Sequence, residues 1–219
     1  WGPNARTTLA AVTDDPEQLS VENFPFVSVR NIQINGVTVA AFRISYVGEQ
    51  GWELHCAYGD GLALWDTLHA QGVTPVGVET YANSRRMEKS LRLQNADLLT
   101  EYNLLEAGLA RPKVKAADFH GKEAYLAKRA LDHQPAYLCT MTMKDNIDAN
   151  GVARYPVGSW PIMDARTGEV LVDSEGRRSY ITSIAYGPTV GKNIALGYLP
   201  YEYCEEGREL AMEYFHESY

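Results

Sequence analysis

The chain is poor in the features that announce several function classes. It holds three cysteines in 219 residues. Cys56, Cys139 and Cys204 are far apart and odd in number, so they spell out neither a disulfide framework nor a Cys-x-x-Cys metal or redox site, and a reducing compartment fits this usage best. Cations are in deficit. The 20 Lys and Arg against 28 Asp and Glu give a formal net charge of -8, the wrong sign for the clustered cations that neutralise nucleic-acid phosphates. No nucleic-acid partner is expected. No run approaches the ~18 apolar residues of a membrane span, and no Asn-x-Ser/Thr sequon occurs, so the expectation is a soluble intracellular protein with no membrane partner.

Signatures of common chemistries are also missing. There is no Gly-x-Ser-x-Gly elbow for nucleophilic catalysis and no dinucleotide fingerprint. The five histidines, His55, His69, His120, His133 and His216, show no ligand spacing, so no metal site is expected. Residues 187–193 imitate a phosphate-binding loop but are one residue short, end in Asn193 and precede a strand instead of a helix. Residues 146–151 imitate the start of a calcium loop, yet Val157 stands at the twelfth position, where a bidentate Glu is required.

What is present is ample for a core: 45% of residues are hydrophobic and 22% charged, enough for one large domain or two small ones. The pattern predicts an α+β fold. Asn4 is placed to cap a helix over residues 5–12. Two extended runs flank Asn35-Gly36, the dipeptide suited to a type I′ turn. The register they predict puts Ile34 opposite Val37 and Ile32 opposite Val39 on one face, with Gln33 and Thr38 on the other. A strand over 52–56 and a helix over 61–70 follow, the helix capped by Asp60 with an apolar face of Leu62, Trp65, Thr67 and Leu68. A helix over 78–91 carries Glu79, Arg85, Arg86, Glu88 and Lys89, and another follows Gly121. Beyond Pro135 the runs 136–143, 170–173, 180–186, 194–199 and 209–215 predict an antiparallel β-barrel or sandwich, with a domain boundary near Gln134. Trp1 at the start, and a final strand that stops without a turn, predict a piece of a longer protein.

The segment Arg43-Ile44-Ser45-Tyr46-Val47-Gly48-Glu49-Gln50-Gly51-Trp52-Glu53-Leu54 sets an acidic residue in a glycine-bracketed bend between two strands. A carboxylate held there can accept two parallel N–H bonds from a planar aminopyrimidine ring. From the residues alone an ordinary surface turn is the favoured reading.

This segment resembles the Tyr-x-Gly-Glu-x-Gly-[Phe/Trp]-Glu motif of the folate-binding aminomethyltransferase superfamily, which contains the glycine cleavage T-protein, sarcosine dehydrogenase and dimethylglycine dehydrogenase. Further stretches resemble that family in its own order: Gly2-Pro3-x-Ala5-Arg6, Arg86-Met87-Glu88-Lys89, Leu105-Glu106-Ala107-Gly108-Leu109, Phe119-x-Gly121-Lys122-Glu123-Ala124 and the run from Gly191 through Tyr198 to Pro200. The wording around Tyr46 and the Glu88-Lys89 pair leans toward the dehydrogenase group. Arg85 stands where the family has Leu, Ala96 where it often has His, and Leu104 where Pro is common.

The resemblance implies part of a three-lobed folate-binding fold over residues 1–134 and a C-terminal antiparallel β-barrel over 135–219. It implies tetrahydrofolate as cofactor, with Glu49 on the pterin, Tyr46 beside it, and Arg86 on the anionic glutamate tail or the pterin rim. The reaction implied is capture of a one-carbon unit from an N-methyl amine donor, in the cytoplasm or the mitochondrial matrix. FAD is implied only for a parent with an N-terminal oxidoreductase domain, and the assisting carboxylate is expected outside this chain, leaving the fragment inactive alone. Two alternatives stay open: a non-catalytic folate-binding or assembly module, whose Lys-Gly-Cys motif is missing here, and a folate-dependent O- or S-demethylase. With part of its lobe absent, the chain is expected to self-associate through exposed strand edges.

Overall fold

The computed structural model describes residues 1–148 and 150–213. The chain forms two compact units, Trp1–Lys89 and Ser90–Tyr219.

The first unit is built on a hairpin. β1 (Val29–Ile34) and β2 (Val37–Phe42) pair antiparallel with Ile34 opposite Val37, Gln33 opposite Thr38 and Ile32 opposite Val39, the register the sequence predicts. Asn35 and Gly36 both have positive φ, +46° and +80°, as a type I′ turn demands. β3 (Glu53–His55) adds to the other side of β2, so β1 and β3 are the edges of this sheet. Ile32, Ile34, Val39 and Ala41 enter the core with Leu9 of α1 (Ala5–Ala10), Leu19, Phe24 and Leu64 of α2 (Gly61–His69). Gln33 and Thr38 stay on the exposed face, where they bond to each other.

Several expectations need correction. Neither Asn4 nor Asp60 makes a side-chain cap; at the first helix the Thr8 amide instead donates to the Asn4 carbonyl at 2.9 Å. The inward face of α2 is Leu64 with Leu68, while Leu62 and Trp65 are 73% and 55% exposed. Leu64 and Leu68 are four apart and share a face, so that pair and not the bulkier Trp65 sets the buried side. The charged helix is a π-helix over Glu79–Arg85, shorter than the predicted 78–91 span.

In the second unit β7 (Lys192–Pro200) lies between β4 (Ala136–Thr142) and β6 (Ile181–Gly187), both antiparallel to it. Alternation along β7 feeds two clusters: Ala195 and Leu199 meet Ile162, Leu171 and Ile181, while Tyr198 on the other face meets Tyr102, Ala107 and Ala136. β5 (Ile162–Asp164) pairs with β8 (Leu210–Met212) in a separate two-stranded sheet. β5 escaped the sequence reading because three residues are too few to show a period. The expected strand over 170–173 is reduced to isolated bridges, Met163 to Val170 and Val172 to Arg178. Both sheets are open among the described residues, so the strands do not close a barrel there. The last two residues of the expected 209–215 strand lie outside the described residues, as does His216. α3 (Lys122–Arg129) follows Gly121 as expected.

An ion cluster pins this unit. Arg177 pairs with Glu106 and Asp173, both carboxylate side chains being 2% exposed, and its guanidinium carbon lies 4.4 Å from the Tyr102 ring centroid. Asp148, in the imitation calcium loop, is already satisfied by the Asn150 and Val152 amides and by Arg154. Ala149 of that loop lies outside the described residues.

Candidate functional site

Phe42 pairs with Glu53, so the ten residues between them form a bend whose ends are fixed by strand pairing. Buried Val47 anchors its middle. Gly48 has φ +71°, and a Cβ there would lie 2.4 Å from Cγ of Lys89, whose stem crosses the bend. Glycine is thus required twice, by backbone conformation and by close approach. The N-terminal turn closes the other side: the Gly2 amide donates to the Gln50 carbonyl at 2.9 Å, and Gln50 Nε2 donates to the Pro3 carbonyl at 2.9 Å. At Gly51 an added Cβ would sit 2.9 Å from Cβ of Trp1. The Gly2-Pro3 turn and the Gly48–Gly51 bend are therefore one packed object.

Glu49 projects from this object. Its Oε1 accepts from Arg85 Nη2 at 3.3 Å, and Arg85 Nη1 also donates to Glu88 at 3.2 Å. No hydrogen bond reaches Glu49 Oε2 among the described residues, and the side chain keeps 30% exposure. Arg86, the next residue, is buried. It is 1% exposed and its Nε donates to the Ala82 carbonyl at 2.6 Å. Successive residues on a helix point in different directions, so when Arg85 reaches the bend, Arg86 turns into the core.

Tyr46 stands beside an aromatic corner. Its ring centroid lies 6.0 Å from that of Tyr81, which lies 6.0 Å from that of Trp1. Burial raises the Tyr81 pKa, a hydrogen bond with the Tyr46 backbone opposes that rise, and the charge of Glu53 adds to it. Glu53 thus bears on the same corner, from the start of β3, and is also 3.7 Å from His55. Behind the bend, the guanidinium carbons of Arg43 and Arg6 lie 4.4 and 5.4 Å from the Trp52 ring centroid. Arg43 Nη1 donates to the Gly51 carbonyl at 3.1 Å, and burial, then the charge of Arg6, lowers its pKa. Arg6 Nη1, Arg43 Nε and Trp52 Nε1 are buried without a hydrogen-bond partner among the described residues; the negative face of the indole offsets part of that cost for the two cations.

The structure therefore sets Tyr46 against Tyr81 and Glu49 against Arg85 of the same helix, while Arg86 is buried. Sequence reasoning missed Trp1, Tyr81, Arg85 and Glu53 as neighbours of the bend. Tyr81 carries no local signal, because 35 positions separate it from Tyr46; Arg85 is visible in the sequence as one charge of the helix and as a departure from the family's Leu, neither of which points to Glu49. The arrangement offers an acceptor carboxylate beside a wall of aromatic rings, a setting for a planar, N–H-bearing ring. Among the described residues, no group of three or more His, Cys, Asp or Glu could hold a metal ion, and no helix is long and apolar enough to cross a membrane.

Comparison with known proteins matches the GCVT N-terminal domain to residues 1–115 and the glycine cleavage T-protein C-terminal barrel domain to residues 160–219. The chain is 31% identical to the mitochondrial dimethylglycine dehydrogenase of Homo sapiens over all of its own length and 24% of that protein's. It is 32% identical to an aminomethyltransferase of Halalkalibacterium halodurans over 95% of its length and 53% of the relative's, and 32% identical to one from Thermosynechococcus vestitus over 97% and 52%. The chain thus spans between a quarter and a half of these curated relatives.

Proposed function

Because the chain belongs to the glycine cleavage T-protein family, we propose that it is the folate-binding, C-terminal part of a longer enzyme that passes a one-carbon unit from an N-methyl amine to tetrahydrofolate. The whole reaction is a property of that longer protein, and the chain alone is inactive in it. In this reading residues 1–134 supply part of a three-lobed folate domain and 135–219 the barrel; the two family matches fall on either side of residue 134. FAD belongs to an N-terminal oxidoreductase domain of such a parent, as the likeness to dimethylglycine dehydrogenase suggests.

The observation that carries the proposal is the Glu49 carboxylate, held in a pinned bend with Oε2 uncommitted, its Arg85 partner on the same helix as Tyr81, which meets Tyr46. These residues fit a pterin. Arg85 positions the carboxylate through Oε1, leaving the other oxygen to accept N–H bonds from the aminopyrimidine edge. Tyr46 flanks the ring. Arg86, at the end of the same helix, is kept as a proposed contact of the glutamate tail or the pterin rim. Tetrahydrofolate supplies the nucleophilic nitrogen that receives the one-carbon unit. No residue of this chain is assigned to proton transfer.

Titration with tetrahydrofolate, followed by tryptophan fluorescence, tests the assignment. Glu49→Gln should weaken binding about tenfold or more, about 1.4 kcal/mol, by removing the charged acceptor. A larger loss from Glu53→Gln would transfer the role to the carboxylate beside Tyr81, and saturable binding unchanged in Glu49→Gln would refute it.

A further inference from the structure

Residues opposite one another in an antiparallel pair point to the same face of the sheet. Tyr137, Cys139 and Met141 of β4 therefore share a face with Leu199, Gly197 and Ala195 of β7. This face packs on Ile162 and Ile181. Gly197, opposite Cys139, has no side chain, and a Cβ there would lie 2.7 Å from Ile162 Cδ1 and 3.4 Å from Met141 Cε, so those side chains fill the space over it. The chain leaves β7 at Pro200, makes a single 3-10 turn over Tyr201–Tyr203 and comes back at Cys204. The Cys204 thiol lies 3.3 Å from the Pro200 carbonyl oxygen and 3.5 Å from that of Leu199, the strand partner of Tyr137. It thus arrives on the face that carries Cys139, and both cysteines pack against the same apolar cluster around Ile162 and Ile181. Both are half-buried, and both line a cavity of about 980 Å³ together with Met141, Ile162 and Met212.

We propose that Cys139 and Cys204 form a redox-active thiol pair, which a hydroperoxide converts into an intramolecular disulfide tying β4 to the segment after β7. The sequence hides this pair because its members are 65 positions apart and a third cysteine breaks the even count. Their environments divide the labour. The neighbouring Cys139 thiol lowers the Cys204 pKa against the opposing effect of burial, while the Cys204 neighbour and then burial raise that of Cys139. Cys204 is the nucleophile and Cys139 the resolving thiol.

The Cys204 thiolate attacks one peroxide oxygen and the O–O bond breaks, giving a sulfenic acid and hydroxide, which is protonated to water. The Cys139 sulfur then attacks the sulfenic sulfur. The S–S bond forms, the S–OH bond breaks, and the departing hydroxide takes the Cys139 proton as a second water. Two thiols lose two electrons and two protons, and hydrogen peroxide is reduced to two waters.

The test treats the folded chain with hydrogen peroxide, quenches it, alkylates under denaturing conditions, and reads intact mass and a peptide map. The expected product is about 2 Da lighter before alkylation, takes one alkyl group, at Cys56, instead of three, and returns to three after dithiothreitol. Cys139→Ser should instead gain oxygen at Cys204 with no loss of 2 Da, whereas Cys204→Ser should react more slowly and also form no cross-link. Three alkyl groups after oxidation, a cross-link through Cys56, or oxygen added at Cys204 in the unsubstituted chain would overturn the proposal.

Discussion

Replacing Gly48 by alanine tests whether the bend is held as described. The backbone there has φ +71°, and the new methyl would lie 2.4, 2.6 and 2.7 Å from Cγ, Cε and Cδ of Lys89. An L-residue in the left-handed region costs about 1 to 2 kcal/mol. The clash adds less than its distances suggest, because the atoms met belong to a flexible stem that can swing away; losing that packing costs about 1 kcal/mol. The total expected is about 2 to 3 kcal/mol, and the two parts are separable. In a Lys89→Ala background the methyl meets nothing from that stem, so Gly48→Ala should cost only the backbone part, leaving a coupling of about 1 kcal/mol. Urea denaturation followed by tryptophan fluorescence suits the purpose, since Trp1, Trp52 and Trp65 report on the first unit and only Trp160 on the second. With an m-value of about 2 kcal/mol per molar, the midpoint should fall by about 1 M. A fall of less than about 0.3 M, or an equal cost with and without Lys89, would refute the geometry on which the candidate site rests.

Two further outcomes follow from the second unit. Arg177→Met leaves the Glu106 and Asp173 carboxylates buried without their shared cation, so it should destabilise by about 3 to 5 kcal/mol in chemical denaturation, and a loss below about 1 kcal/mol would show the pairing to be incidental. Asp164 accepts from the Arg166 and Thr167 amides and the Tyr203 hydroxyl, and its pKa is lowered from 3.8 to about 2, chiefly by the Arg166 amide. A depressed folded pKa contributes stability that is present above the unfolded pKa and lost as pH falls from about 4 toward about 2; Asp164→Asn should flatten that part of the pH–stability curve, and identical acid profiles for the two proteins would contradict it.

Local chemistry made parts of this fold legible. The Asn35-Gly36 turn specified both its backbone and the register of six paired positions, because a two-residue turn leaves no freedom in pairing. The Gly48–Gly51 bend was readable as a glycine-bracketed carboxylate, and the family likeness carried its folate reading. Contacts between distant positions were not readable. Tyr81 reaches Tyr46, Arg85 reaches Glu49 and Cys204 joins the cluster that holds Cys139 only after the strands and turns have been placed, and no local period marks them. The inward face of α2 was misjudged for a related reason: Leu64 is buried by Phe24 and the hairpin core, partners that lie far away in sequence. Element ends failed where the span was too short for a pattern, as at β5.

In the proposed function the bend over residues 44–51, with the helix over 79–85, receives the folate ring. Amide hydrogen exchange with and without tetrahydrofolate tests this directly. Exchange should slow in both of those stretches when the ligand is present. Unchanged exchange there, with protection confined to residues 160–213, would contradict it.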